Sequence, residues 1–246
     1  MPRNAAQSPA TPLLEPAALL QSIRARSRGQ RIDALVSVRG WLLLLLLRSA
    51  AKRALDVTGA LIGLALLSPL LVLTALAIRL ESPGPVLFHQ VRVGKRGRPF
   101  TMYKFRSMRV TAEAEKLALQ DANECAGGVL FKMKRDPRVT RVGQVIRRLS
   151  IDELPQLLNI LRGDMSIVGP RPALPAEVEK YGPEARKRLQ TRPGLTCLWQ
   201  ISGRSELTFS EQVDLDLRYL QARSVGKDIS IIVRTVPAVI NGKGAY

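Results

Sequence analysis

The stretch 57-VTGALIGLALLSPLLVLTALAI-78 carries no charge, and its length matches the roughly 20 residues of one membrane helix. Lys52 and Arg53 flank it on one side. Arg79 and a long basic region flank it on the other. Positive charge tends to stay on the cytoplasmic side, so both ends are expected in the cytoplasm. Ser68-Pro69 falls at the middle. Proline removes a backbone donor and kinks a helix, and the serine hydroxyl can satisfy the freed carbonyl. The preferred reading is therefore a kinked, re-entrant helix that enters and leaves by one face. A plain span and a buried core helix are the alternatives, although the segment has no polar face for water.

Upstream, residues 1–50 form an N-terminal extension. "MPRNAAQSPATPLLEP" has the composition of a disordered arm, and "LLQSIRARSRGQRIDALVSVRGWLLLLLL" mixes Arg with Leu as an interfacial amphipathic helix does. Residues 51–80 are read as the membrane helix and 81–246 as a cytoplasmic domain.

The chain has 246 residues, 38 Lys and Arg against 20 Asp and Glu, and a formal net charge of +18. Such a surface draws anionic partners: nucleic acid, anionic lipid or phosphorylated small molecules. Aromatic residues are only 4%, which speaks against stacking on single-stranded nucleic acid. Cys125 and Cys197 match no metal or redox spacing, and with a single histidine, His89, they offer no zinc site.

Downstream, "VLFHQVRV" and "PFTMYKFRSM" alternate like strands around the turn "GKRGRP". "AEAEKLALQ", "DPRVTRVGQVIRRL", "DELPQLLNILRG", "ELTFSEQVDLDLRYLQAR" and "DISIIVRTVPAVI" carry helices. In "DELPQLLNILRG", Leu154, Leu157, Leu158 and Leu161 share one face and Gly163 ends the helix. The expected fold class is α+β: a helix-rich domain with a small β-hairpin, anchored by the kinked helix.

One acidic pair stands out in this basic chain, Asp152-Glu153. Ser150 and Glu153 fit a capping box, and Pro155 fits the first turn of a helix starting near Asp152. A helix N-terminus also keeps a carboxylate ionised and gathers anions, as a nucleophile facing a phosphate requires. Arg135, Arg138, Arg141, Arg147, Arg148, Arg162 and Arg171 surround the pair in sequence and could clamp a phosphorylated substrate. Lys104 and Arg106 fall on one face of the second strand.

The run from Lys52 to Tyr246 resembles the bacterial sugar transferases, the monotopic polyprenyl-phosphate phosphoglycosyl transferases, here in a short form. The matching stretches are "KRALD", "LLSPLLVLTALAIRLESPGPVLFHQVRVGKRGRPFTMYKFRSM", "DPRVTRVGQVIRRLSIDELPQLLNILRGDMSIVGPRP", "RPGLTCLWQISGR", "LDLRYL" and "GKGAY". The resemblance implies a re-entrant helix kinked at Ser68-Pro69. It implies Asp152 as nucleophile on the β-phosphorus of a UDP-sugar, with UMP released and undecaprenyl phosphate as acceptor. It implies Glu153 as a ligand of Mg²⁺, the family's usual cofactor, and functional or site-organising places for Lys104, Arg147, Arg171 and Asp228. The enzyme would work on the cytoplasmic face of the bacterial inner membrane and bind no nucleic acid. Cys197 stands where the family's "PGLTG" has glycine. The transferred sugar, the pathway and any homo-oligomer are not legible. A basic nucleic-acid-binding protein with a hydrophobic oligomerisation helix is the alternative, and an inactive membrane scaffold for polysaccharide assembly is another.

Overall fold

The computed structural model describes residues 28–115, 136–203 and 207–241. The expected arm up to residue 27, the end of the "AEAEKLALQ" helix, Cys125, Arg135 and the "GKGAY" tail lie outside them. From Ala50 onward the described residues form one compact unit.

Helix α1 runs Arg28–Glu81, and the 42 residues from Gly40 to Glu81 are long and apolar enough to cross a membrane. It continues through Pro69. The missing N–H of Pro69 leaves the Ala65 carbonyl without its helical donor, and Ser68 Oγ fills the place at 2.8 Å. Two faces of α1 differ. Asp56, Ala60, Thr74 and Ile78 are buried, with Leu64 and Leu71 partly so, at helical spacing. Leu61, Ile62, Leu66, Leu73, Leu76 and Leu80 are more than half exposed.

Strands β1 (Leu87–Val93) and β2 (Pro99–Phe105) form the expected hairpin, with Phe88 opposite Lys104 and Arg92 opposite Phe100. Helices α2 (Arg141–Arg148) and α3 (Gln156–Arg162) follow. A second, parallel pair joins β3 (Ser166–Val168) to β4 (Gly194–Thr196), which the sequence did not announce. Gly194 is required there, because a side chain on it would strike the backbone of Gly169. Helices α4 (Phe209–Gln221) and α5 (Val225–Asn241) close the domain. Thr208 and Glu211 make a true capping box at the start of α4.

The domain grips α1 at both ends of its 53–81 half. Arg53 donates to the Ile160 and Leu161 carbonyls at 2.6 and 2.9 Å, satisfying two acceptors at the C-terminus of α3. Asp56, 1% exposed, accepts from Ser166 Oγ, Ile167 N–H and Lys52. Ala60 and Leu64 pack with Met102, Leu157 and Ile160. At the other end Ile78 packs with Phe105 and Ile146, and the Glu81 carboxylate accepts the Arg141 and Val142 N–H groups, capping α2.

Two local readings are corrected. The acidic pair does not open a helix: Ile151–Glu153 is a single 3₁₀ turn, Ser150 is left-handed (φ 54°) with no capping bond, and α3 begins at Gln156. The buried face of α3 is also only partly the leucine face. Leu157 is in the core and Leu161 packs against it, but Leu158 is 41% exposed and Gln156, Asn159 and Ile160 complete the buried face. Asn159 is fully buried because its amide continues the β2 edge, accepting from Tyr103 N–H and donating to the Thr101 carbonyl.

Candidate active site

The 3₁₀ turn sits against β2, and that packing sets the site. Lys104 projects from β2 and its Nζ donates to Glu153 Oε1 at 2.9 Å. Arg171 reaches the same oxygen at 3.9 Å from the loop after β3. Lys104, Met102 and Arg92 share one face of the hairpin, since opposite residues of an antiparallel pair point the same way. They line an open hollow together with Glu153, Gln156, Arg171 and Gln200.

The two carboxyls are held in opposite ways. Burial would raise Glu153, but Lys104 and Arg171 outweigh it and hold the group down at about 2. Asp152 lies behind the wall, 9% exposed. Burial raises it to about 6. The charge of Glu153 adds to the rise, while Lys104, Arg147 and Arg171 oppose it. The pair thus splits into one permanently ionised carboxylate facing the hollow and one poised just below neutrality behind it.

The expected cations separate. Lys104 and Arg171 converge on Glu153, and Arg147, in the last turn of α2, acts electrostatically on Asp152. Arg148 is exposed on α2. Arg106 is a correction. β2 ends at Phe105, so Arg106 leaves the Lys104 face and donates to Ser82 and Pro83 carbonyls at 2.8 Å and to Ser82 Oγ at 2.9 Å. It pins the turn after α1 and touches no part of the hollow. Asp228 stands apart as well. Fully buried, it accepts from Tyr219 Oη at 2.7 Å and lies 2.9 Å from Lys52 Nζ, an ion contact linking α5 to α1. The Tyr219 hydroxyl also lies 3.1 Å from the Val168 carbonyl, which places this cluster against β3.

The sequence reading missed Arg92 and the two glutamines of the hollow. Arg92 is 8% exposed, donates to Gln90 Oε1 and the Pro172 carbonyl, and is lowered to about 10 by burial and then by Arg171. Strand alternation with Lys104 could have found it. Gln156 and Gln200 gave no such signal.

Among the described residues no three His, Cys, Asp or Glu side chains gather as a metal cage. Glu153 is the carboxylate that faces the hollow, with Asp152 behind it. Magnesium is commonly held by one or two carboxylates with substrate phosphates completing the shell, so this donor set fits that ion with a phosphorylated substrate bound.

Residues 47–242 match the family described as bacterial sugar transferase. The chain is 49% identical over 196 residues to the galactosyl transferase CpsE of Streptococcus agalactiae serotype III, covering 79% of this chain and 43% of that protein. It is 42% identical over 199 residues to the exopolysaccharide production protein ExoY of Sinorhizobium fredii, covering 80% and 88%. It is 44% identical over 203 residues to the UDP-glucose:undecaprenyl-phosphate glucose-1-phosphate transferase of Caulobacter vibrioides, covering 79% and 72%. Matched over most of its length, the chain belongs to the bacterial sugar transferase family and is an enzyme of the transferase class.

Proposed function

We propose that the chain transfers a sugar 1-phosphate from a UDP-sugar to undecaprenyl phosphate at the cytoplasmic face of the bacterial inner membrane, the initiating step of a surface polysaccharide or glycoconjugate. The observation that carries this reading is the split acidic pair, set among Lys104, Arg147 and Arg171 beside a hollow lined by cations. The activity for which the Caulobacter relative is named supports the choice of substrates.

The chemistry follows from the groups present. Lys104, Arg92 and Arg171 neutralise the diphosphate, which phosphoryl transfer needs more than acid–base strength. The Asp152 carboxylate turns into the hollow and one oxygen attacks the β-phosphorus. The bond from that phosphorus to the bridging oxygen breaks, and UMP departs with the oxygen. A phosphosugar ester remains on Asp152. An oxygen of the lipid phosphate then attacks the same phosphorus, the aspartyl bond breaks, and the carboxylate is restored with a polyprenyl diphosphate sugar as product. No proton has to move at neutral pH in either step. Mg²⁺ held by Glu153 would add charge neutralisation at the phosphates.

The anchor is read as re-entrant. Both ends of α1's apolar segment bind one domain, through Arg53 and Asp56 at one end and Ile78 and Glu81 at the other. Two ends held by one cytoplasmic body stay on one side of a bilayer, with the exposed leucine face left for lipid.

The test is a panel of UDP-sugars with detergent-solubilised enzyme, undecaprenyl phosphate and Mg²⁺, scored by UMP release. Donor alone should give a burst no larger than the enzyme concentration, with labelled sugar phosphate trapped on a peptide containing Asp152. Release of UMP only when lipid is present, with no trapped label under rapid quench, defeats the covalent step. No release from any UDP-sugar defeats the function.

A further inference from the structure

The hollow beside the acidic pair has a neighbour, a second one whose walls include Gly94, Pro170, Arg171, Tyr181, Thr191 and Pro193. Arg171 lines both. The seam between them crosses three segments of chain within one or two residues: Arg92 to Gly94 at the end of β1, Pro170 to Pro172 after β3, and Pro193 to Gly194 entering β4. Successive residues lie about 4 Å apart, so the two hollows adjoin across Arg171.

Two of the lining residues carry hydroxyls, and each hydroxyl accepts from an arginine. Arg188 donates to Tyr181 Oη at 3.2 Å, and Arg223 donates to Thr191 Oγ1 at 3.0 Å. An oxygen that accepts from a guanidinium turns its own hydrogen elsewhere. Among the described residues neither hydrogen meets an acceptor. Tyr181 is 6% exposed, and burial holds its hydroxyl above the ordinary value, so it keeps the hydrogen. A buried donor of this kind calls for an acceptor from a ligand. The rim is cationic as well. Lys95 follows Gly94 and Arg192 follows Thr191, both exposed. Burial and then the charges of Arg96, Arg192 and Arg223 hold Lys95 below its ordinary value, so these cations converge at the hairpin turn.

In phosphoryl transfer the attacking and leaving oxygens lie roughly in line. With Asp152 attacking, UMP departs on the far side of the β-phosphorus. The second hollow lies past Arg171 from the Glu153 carboxylate and has neither acid in its walls. A uridine there brings carbonyl and ribose oxygens, which are acceptors. We infer that the second hollow is the nucleoside end of the donor site: the Tyr181 and Thr191 hydroxyls donate to oxygens of the uridine, and Arg171, between the two hollows, neutralises the α-phosphate. This deepens the UDP-sugar reading above and rests on it.

The experiment measures the Kd of UDP and of inorganic pyrophosphate by isothermal titration calorimetry, on the detergent-solubilised full chain with Mg²⁺. Both ligands carry a diphosphate, and only UDP carries a nucleoside. The wild type should bind UDP more tightly. Tyr181→Phe and Thr191→Val should each weaken UDP about tenfold, the size of one lost hydrogen bond, and leave pyrophosphate unchanged. Lys104→Met should weaken both ligands in parallel. Thr191 is half-buried, so Thr191→Val carries the test should Tyr181→Phe fail to fold. An unchanged UDP Kd in the hydroxyl variants, an equal loss of pyrophosphate affinity in them, or a wild type that binds UDP no tighter than pyrophosphate each overturn the inference. No UMP release from any UDP-sugar would instead defeat the transferase reading, while the titrations, which need no turnover, decide the nucleoside site by themselves.

Discussion

The poise of Asp152 gives the UMP burst a pH signature. Its carboxyl is raised from 3.8 to about 6, chiefly by burial. A rise of that size is worth roughly 3 kcal/mol. As nucleophile it must be ionised: roughly nine-tenths at pH 7, half at pH 6 and one-tenth at pH 5. The lipid-independent UMP burst rate should therefore fall about tenfold from pH 7 to pH 5, with Glu153 still ionised throughout because it titrates near about 2. Asp216, raised to about 6 by burial against Arg188, titrates in the same window, so a variant must separate the two. Lys104 opposes the rise at Asp152, so Lys104→Met should lower the rate and move its acid limb to higher pH. Stability has the opposite sign. An acid whose folded value lies above its unfolded value destabilises the fold when ionised. That cost is absent below about pH 4 and fully present above about pH 6. Asp152→Asn should abolish the burst yet raise the melting temperature by several degrees at pH 8, with no gain at pH 4. A burst rate flat from pH 7 to pH 5, or an Asn variant no more stable at pH 8, refutes the assignment of a buried, poised nucleophile.

Asp56→Ala should cost about 3 kcal/mol, because it leaves Ser166, Ile167 and Lys52 donors without their buried acceptor; thermal unfolding in detergent and faster proteolysis around Arg53 report it. Arg106→Met should lower stability by about 2 kcal/mol through the released Ser82–Pro83 turn while the burst per folded enzyme persists, in contrast to Lys104→Met. Cysteines placed at Ala50 and Pro85 should label from the same side of sealed vesicles; labelling from opposite sides makes α1 a plain span.

How much was legible depends on whether a residue's role is settled by its own neighbours in the chain. Uncharged length and flanking cations read out the 57–78 part of α1, although the helix begins much earlier, at Arg28, and the Ser68 hydroxyl on Ala65 is a contact between residues three apart. Alternation read out the hairpin, whose strands are adjacent. Thr208 and Glu211 capped α4 within four residues. The acidic pair attracted notice as a charge pattern, but its local reading as a helix start failed. The reason is distant: Lys104, 49 residues away, holds Glu153, and the turn packs on β2 instead of opening α3. Arg106 failed similarly, one residue past the end of its strand, where carbonyls 23 and 24 residues upstream took its guanidinium.

Asn159 shows the limit most clearly. In "QLLNILR" it looks like a solvent-facing break in a leucine face, yet it is wholly buried because β2 offers an unpaired edge 56 and 58 residues earlier. Arg53 reaches 107 residues forward to end the same helix. The site exists where these long connections cross: α1 holds the end of α3, α3 holds the edge of β2, and β2 holds Glu153 through Lys104. The same chain of contacts that docks the long apolar helix α1 therefore sets the position of the acidic pair.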